Sequence, residues 1–301
     1  MNWQQLLRQI GMGDVKALAR TISLVENDYS GSKELLSLLP SSASMKMIGI
    51  TGAPGAGKSS LADALISLLI NEGKKIAVIC VDPSSPFTHG ALLGDRIRMS
   101  KWYNHPNVFI RSLASRGSFG GLHPRIIEIC DIVKSAPYDY VIVETVGVGQ
   151  SEIEITGLAD TTVVVLVPEA GDEIQTMKAG LMEIADVFVV NKSDRPGADA
   201  LVKNMRTMLA PAFNKKDPIK IIKTNALANE GITDLWGAIS HCMQQAASTD
   251  KKYWLLAEKA FYLIQQDRLR NISKKDLKAD IERLIKNGYF NLYQYVASIT
   301  Q

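Results

Sequence analysis

Between Met47 and Leu69 the chain passes from a short continuous apolar run, through a glycine-rich turn, into an amphipathic helical pattern, and that order leaves few folds open. The turn reads Gly52-Ala53-Pro54-Gly55-Ala56-Gly57-Lys58-Ser59 and is followed by Ser60. Its glycines let the backbone wrap closely enough for successive N–H groups to converge on an oxyanion, and the helix behind adds the positive end of its dipole. Lys58 supplies a cation for the β- and γ-phosphates of a nucleoside triphosphate, and the Ser59 hydroxyl an oxygen ligand for Mg²⁺. A G-x-x-x-x-G-K-[ST] spacing with a strand before it and a helix after it is a phosphate cradle. It predicts an α/β fold in which a mostly parallel sheet is covered by helices on both faces.

The rest of the chain agrees with that expectation. Apolar runs at Ile76–Val81, Val108–Ser112, Tyr140–Glu144, Thr162–Val167, Val187–Asn191 and Ile219–Thr224 join Met47–Thr51 as strand candidates. Most are continuous rather than alternating, which suits strands buried on both faces, and helical stretches between them imply right-handed crossovers. This zone, residues 45–247, is flanked by two helical ones. In residues 1–44, Trp3, Leu6, Leu7 and Ile10, then Val15, Leu18, Ala19, Ile22 and Val25, fall at helical spacing before Pro40 breaks the pattern. In residues 248–301, Trp254, Ala257, Phe261 and Ile264 recur at helical intervals, and Ser273 with Asp276 starts a second helix ending near Gly288. That zone carries ten Lys or Arg against six Asp or Glu. It reads as a solvated helical hairpin or as a dimerisation arm, because Trp254, Phe261, Tyr262 and Leu269 need something to bury them.

A phosphate cradle alone does not choose a base. Asn191-Lys192-Ser193-Asp194 closes the Val187–Asn191 run, where a carboxylate has a specific use. Guanine presents N1–H and its exocyclic amino group side by side, and Asp194 can accept from both. Adenine would meet it lone pair to lone pair. Asn191 either serves a neighbouring edge of the base or ties the loop down, and the Lys192 stem lies along the base plane. Backbone N–H groups of Thr224-Asn225-Ala226 are placed for the guanine carbonyl. GTP and GDP are therefore the expected nucleotides. Glu144, opening Glu144-Thr145-Val146-Gly147, can hold a magnesium-bound water while the glycine N–H meets the γ-phosphate. Asp82 ends a strand expected beside the cradle's own strand. Asp95 is either a further carboxylate for Mg²⁺ or an ordinary surface residue.

Composition closes off other classes. A net charge of +3 is too small to argue for nucleic acid or an anionic membrane as the main partner. Cys80, Cys130 and Cys242 form no C-x-x-C pair and read as small buried hydrophobes in a reduced compartment. No stretch approaches the roughly 18 apolar residues needed to span a bilayer, and the first ten residues lack the core of a signal peptide. The cytoplasm, or an organelle matrix after removal of a targeting segment, is the expected location.

Seven segments together resemble the MeaB/ArgK-type P-loop GTPases, chaperones of adenosylcobalamin-dependent acyl-CoA mutases of the methylmalonyl-CoA mutase type. They are Gly49–Ser59, Val81–Pro86, Gly94–Met99, Arg111–Gly117, Glu144–Gln150, Gly171–Gly180 and Asn191–Asp194, and with the helical ends they cover essentially the whole chain. The resemblance implies a P-loop NTPase fold with an N-terminal helical extension and a C-terminal helical dimerisation arm, a homodimer, GTP/GDP and Mg²⁺ as ligands, and a mutase as partner. Most GTPases have Asp where this chain has Glu144, which fits a separate subclass. Asp82, Asp95 and Glu144 are implied to belong to the magnesium and switch region, and Asp172, Gln175 and Lys178 to a loop that senses the mutase. Arg116 follows a serine where the family pattern has threonine, and is the candidate cation facing the phosphates. The implied activity is slow hydrolysis of GTP at Lys58, Asp82, Glu144 and Arg116. Docking of the mutase would bring in Gln175 or Lys178, coupling turnover to cofactor loading and protection. Three other readings stay open: a nickel or cobalt metallochaperone, a transport-system accessory kinase, and a binding switch with negligible turnover. The first needs a ligand cluster that the scattered His89, His105, His123 and His241 do not supply. Methylmalonyl-, isobutyryl- and other acyl-CoA mutases are not distinguished.

Overall fold

The computed structural model describes residues 2–40, 45–82, 99–115, 122–147, 151–170, 185–209, 219–246, 251–269, 272–288 and 290–300. It divides into two compact units, Met1–Leu255 and Leu256–Gln301. The first opens with helices α1 (Trp3–Gly11), α2 (Val15–Glu26) and α3 (Ser32–Ser37). Asn2 and Asp14 set the starts of α1 and α2, the Asn2 side chain accepting from the Gln5 N–H and that of Asp14 from the N–H groups of Lys16 and Ala17. Trp3, Leu6, Ile10, Leu18, Ile22 and Val25 face inward, whereas Val15, at the first helical position, stays exposed.

Strands and helices then alternate. They are β1 (Lys46–Gly52), α4 (Lys58–Asn71), β2 (Ile76–Asp82), β3 (Val108–Ala114), α5 (Ile126–Lys134), β4 (Tyr140–Glu144), α6 (Ser151–Leu158), β5 (Thr161–Leu166), β6 (Val187–Val190), α7 (Ala198–Leu209), β7 (Lys220–Lys223) and α8 (Ile232–Ala246). Every strand read from the sequence is present. The seven strands form one sheet in the order β3-β2-β4-β1-β5-β6-β7, with all neighbours parallel. Apolar residues alternate between two covered faces. Ile48, Ile50, Val163, Val165, Val187 and Val189 pack with α4 and α8, while Val164, Leu166, Phe188 and Val190 pack with α7. This explains why the runs are continuous. On α4 the side chains of Leu61, Leu65, Ile66 and Leu69 are fully buried. Each is worth about 1.5–3 kcal/mol, so packing sets the position of this helix and of the loop that feeds it.

One expectation is corrected by the strand order. β4 stands between β1 and β2, with Ile50 and Cys80 both in register with Glu144. The strand ending in Glu144 is therefore the neighbour of the cradle strand, and the one ending in Asp82 lies one place further out. Apolar periodicity identifies strands but carries no record of which crossover leaves a gap for a later strand.

At the foot of the sheet a repeated device fastens neighbours together. Asp139, Asp160 and Asp186 each stand just before a strand, β4, β5 and β6 respectively. Their Oδ2 atoms accept from the N–H groups of Lys75 (2.7 Å), Met47 (2.8 Å) and Thr162 (2.8 Å) at the start of the adjoining strands β2, β1 and β5. Two arginines fasten the N-terminal helices. Arg111 of β3 donates to Glu26 Oε2 at 2.6 Å and Ser23 Oγ at 3.1 Å, and Arg125 bridges Asp28 and Glu128. Cys80 and Cys130 are buried as expected, but Cys242 is only half-buried, with Sγ 3.8 Å from the Asp186 carbonyl oxygen.

The remaining helices are α9 (Lys251–Leu269), α10 (Lys274–Lys286) and α11 (Leu292–Thr300). Ser273 caps α10, accepting from Lys275 and Asp276, and the helix ends just before Gly288. Helix α11 was not read from the sequence. Its signal is Asn291, whose side chain accepts from the N–H groups of Tyr293 and Gln294.

Replacing Asp160 with Ala strands the Met47 N–H at the foot of β1. Urea unfolding of Asp160→Ala is expected to show stability lower by about 1–3 kcal/mol with an unchanged denaturant slope. An unaltered midpoint would mean that water substitutes for the carboxylate.

Candidate nucleotide-binding site

The glycine loop leaves the top of β1 and enters α4, whose first residue is Lys58. Gly57 precedes it at φ +88°, and no side chain caps the helix. Its first-turn N–H groups are thus not taken by a side chain, as those of α1, α2 and α10 are, and the loop offers them with the dipole's positive end to an anion. Lys58 is buried, and its ammonium donates to the carbonyl oxygens of Gly52 (2.8 Å), Ala53 (3.1 Å) and Val146 (3.4 Å). The cation therefore spans the loop and the turn that follows β4. Gly147 presses on the same point from the other side, at φ +84°. A Cβ there would lie 2.6 Å from Lys58 Nζ and closer still to the Gly52 carbonyl oxygen. Only glycine lets this second wall of the cradle approach.

Beneath the cradle, Ser59 Oγ donates to Glu144 Oε1 at 2.7 Å, both residues being buried. Thr51 and Thr145 join their hydroxyls at 2.9 Å and tie the ends of β1 and β4 together. Asp82, also buried, ends β2, and its carbonyl oxygen accepts from the Ser115 N–H at 2.9 Å. Hydroxyl and carboxylate oxygens are hard donors of the kind that suits Mg²⁺. Among the described residues no three His, Cys, Asp or Glu side chains converge. Among the described residues, Ser59, Glu144 and Asp82 are the oxygen donors that could hold a magnesium ion.

The base-side loop is built around Asn191, which follows β6 and is 2% exposed. Its Nδ2 donates to the Ala56 carbonyl oxygen at 2.9 Å. Its Oδ1 accepts from Thr224 Oγ1 at 3.1 Å and from the Ala226 N–H at 3.2 Å. Of the two roles open from the sequence, the structure shows the tying one. Lys192, at φ +56°, reaches back over the glycine loop to the Gly55 carbonyl oxygen at 2.8 Å. Asp194 is exposed at the rim, beside Arg195, which donates to Glu169 and by that hydrogen bond holds the Glu169 carboxyl below its ordinary range. The N–H groups of Thr224, Asn225 and Ala226 go to the Val190 and Glu230 carbonyl oxygens and to Asn191. In this structure that loop holds Asn191.

The structure thus brings together Gly52, Gly55, Gly57, Lys58, Ser59, Glu144, Asn191 and Thr224. Asp95, Arg116, Asp172, Gln175 and Lys178 lie outside the described residues. Sequence reasoning missed the Thr51–Thr145 pair, the Val146 carbonyl that receives Lys58, and the Arg195–Glu169 pair. A threonine at or just after the end of two apolar runs, each before a glycine-bearing turn, was the available signal for the first, though the sequence did not show that those runs are neighbours.

Comparison with known proteins places these features in a family. The family model described as "Methylmalonyl Co-A mutase-associated GTPase MeaB" matches residues 18–277. A putative GTPase of Pyrococcus abyssi is 42% identical over 291 residues, covering 95% of this chain and 88% of that protein. A fused isobutyryl-CoA mutase of Geobacillus kaustophilus is 40% identical over 204 residues, covering 64% of this chain and 19% of that much longer protein. Among solved structures, a protein named LAO/AO transport system kinase superposes with a TM-score of 0.66 at 28% identity, covering 99% of this chain and 96% of that one.

Gly147→Ala puts a side chain against Lys58 and forces a left-handed backbone on alanine, at about 1–2 kcal/mol for the conformation alone. The variant is expected to fold and to bind a fluorescent GTP analogue at least about tenfold more weakly. Wild-type affinity would remove the Val146–Gly147 backbone from the cradle.

Proposed function

The chain belongs to the MeaB family of methylmalonyl-CoA mutase-associated GTPases, and from that premise we propose that its GTP turnover serves cofactor loading and protection of an adenosylcobalamin-dependent acyl-CoA mutase. The observation that carries the partner is the Geobacillus relative, a protein named as a mutase that holds a segment like this one in its own polypeptide. The activity is that of a GTPase, and the site's chemistry supports it residue by residue.

In the proposed reaction the loop amides and Lys58 hold the β- and γ-phosphates. Lys58 exchanges three neutral carbonyls for charged phosphate oxygens, a change that strengthens each bond it makes. Mg²⁺ bound at Ser59 would neutralise charge on the phosphate oxygens. Glu144 holds the Ser59 hydroxyl by its proton, so that an oxygen lone pair is left to face the metal, and Asp82 adds a carboxylate from one strand further out. Asp194 accepts from the guanine edge. Arg116 is the proposed cation for charge developing on the phosphates. Gln175 or Lys178, from the loop that also carries Asp172, would complete the site when the mutase docks. With that group supplied by the partner's arrival, intrinsic turnover is slow.

We assign a homodimer to the C-terminal helices. Phe261, Ile264 and Leu269 of α9 and Tyr293 of α11 are between 56% and 83% exposed, an apolar set that a second copy would cover. The free cysteines fit a reducing compartment such as the cytoplasm. Among the described residues no helix is long and apolar enough to cross a membrane.

Base preference separates this reading from that of an accessory kinase using ATP. Asp194→Asn is expected to weaken GTP by about 10–100-fold and to favour xanthine nucleotides, in competition against a fluorescent nucleotide. Unchanged GTP preference would take Asp194 out of base recognition. Lys178→Ala is expected to abolish stimulation of hydrolysis by the mutase while sparing the basal rate, and intact stimulation would remove Lys178 from the coupling.

A further inference from the structure

β7 ends the sheet, pairing with β6 on one side and with no described strand on the other. A cavity of about 980 Å³ runs along that open edge. Its walls are the two helices that cover opposite faces of the sheet, α7 with Asp199, Lys203 and Arg206, and α8 with Asp234 and Gly237. A Cβ added at Gly237 would meet nothing within 4 Å, so the α8 wall is set back from the edge. We infer that this groove docks an extended strand of a partner protein carrying carboxylates at alternate positions. The inference is independent of which partner the nucleotide site serves.

The backbone comes first. The Thr224 N–H donates to the Val190 carbonyl oxygen on β6. Backbone groups alternate along a strand, so those of Ile222 also face β6, and the N–H and C=O of Ile221 and the N–H of Lys223 face the groove. An edge that offers both donors and acceptors matches a peptide backbone. A phosphodiester chain has acceptors only and would leave the donor pattern half used.

Side chains then set the chemistry. Ile221 packs into the α7 side of the core and Ile222 into the α8 side. Lys223 consequently lies on the α7 face, where it meets Asp199 at 2.8 Å, and Lys220 on the α8 face. The α7 wall therefore carries Lys203, Arg206 and Lys223 against one carboxylate, and among the described residues neither Lys203 nor Arg206 is ion-paired. An added strand presents every second side chain to that wall. Carboxylates there gain two or three cations, while apolar or basic strands leave those cations desolvated or repelled. The same lysines that keep the edge from adhering to arbitrary strands thus select an acidic one.

The test uses the full chain and a labelled heptapeptide alternating glutamate with valine. Fluorescence anisotropy should show saturable binding to the wild type and no binding of the lysine–valine counterpart. Methylating alternate peptide nitrogens should abolish binding, and amide hydrogen exchange should slow at Ile221 and Lys223. The double variant K203E/R206E should bind the glutamate peptide at least about tenfold more weakly and accept the lysine peptide, with GTP affinity unchanged. The inference fails if the glutamate peptide does not bind, or if N-methylation has no effect, which would make the contact one of charge alone. It fails equally if poly-uridylate displaces the peptide and protects the same amides, or if K203E/R206E changes the oligomeric state, assigning the edge to a second copy.

Discussion

The side-chain amide of Asn191 joins parts of the molecule that are far apart in sequence. It stands at the end of β6, holds the phosphate-binding loop by the Ala56 carbonyl, and holds the loop after β7 by Thr224 and Ala226. A primary amide combines a donor with an oxygen able to accept twice in one small planar group. A carboxylate would face the Ala56 carbonyl lone pair to lone pair, and a shorter hydroxyl would not reach both loops. Each buried bond left unmade costs about 1–3 kcal/mol, so the three act together as a strong constraint. Lys192 repeats the link from outside by reaching Gly55. As a result the glycine loop and the loops that follow β6 and β7 are joined into one assembly.

The other half of the site is organised by a parallel argument on β1 and β4. Thr51 and Thr145 hold the two strand ends together, Gly147 brings the second backbone against the first, and Ser59 and Glu144 close the space beneath. Three neutral carbonyls keep the Lys58 ammonium at the mouth of the cradle rather than in solvent. Lys58, the Ser59 hydroxyl and the Glu144 carboxylate are thus each held in place by neighbours on the two strand ends and the loop between them.

Much of this was legible in the sequence, for reasons that are local. The cradle depends on glycines at fixed offsets, and a backbone requirement of that kind is written directly in residue type. The strands were legible because burial on both faces demands unbroken apolar runs such as Thr161–Leu166. Strand order was not, because the insertion of β4 between β1 and β2 depends on how crossovers pass over the sheet, and this moved Asp82 one place away from where it was expected. Asn191 could be placed at the site but not given its role, since tying a loop and touching a base require the same residue type. The helix starting after Asn291 escaped for a simpler reason, since a short amphipathic segment resembles a polar loop as much as a helix. The half-exposure of Cys242 escaped because residue type does not say how far into the buried face of α8 it turns.

The three aspartates at the foot of the sheet bear on the site in a way that their distance from it conceals. A parallel sheet has no hairpin turns to count residues from, so some other feature must fix how far each strand has slid along its neighbour. Asp160 holds β5 against β1 at Met47, Asp139 holds β4 beside β2 at Lys75, and Asp186 holds β6 beside β5 at Thr162. From those fixed zeros the strands act as rulers, at about 3.3 Å per residue, and Gly52, Glu144 and Asn191 are the marks read at the far end. A slip of one division would not merely shift those marks but turn each of them to the opposite face, so the geometry of the cradle is calibrated from the end of the sheet that never meets the nucleotide.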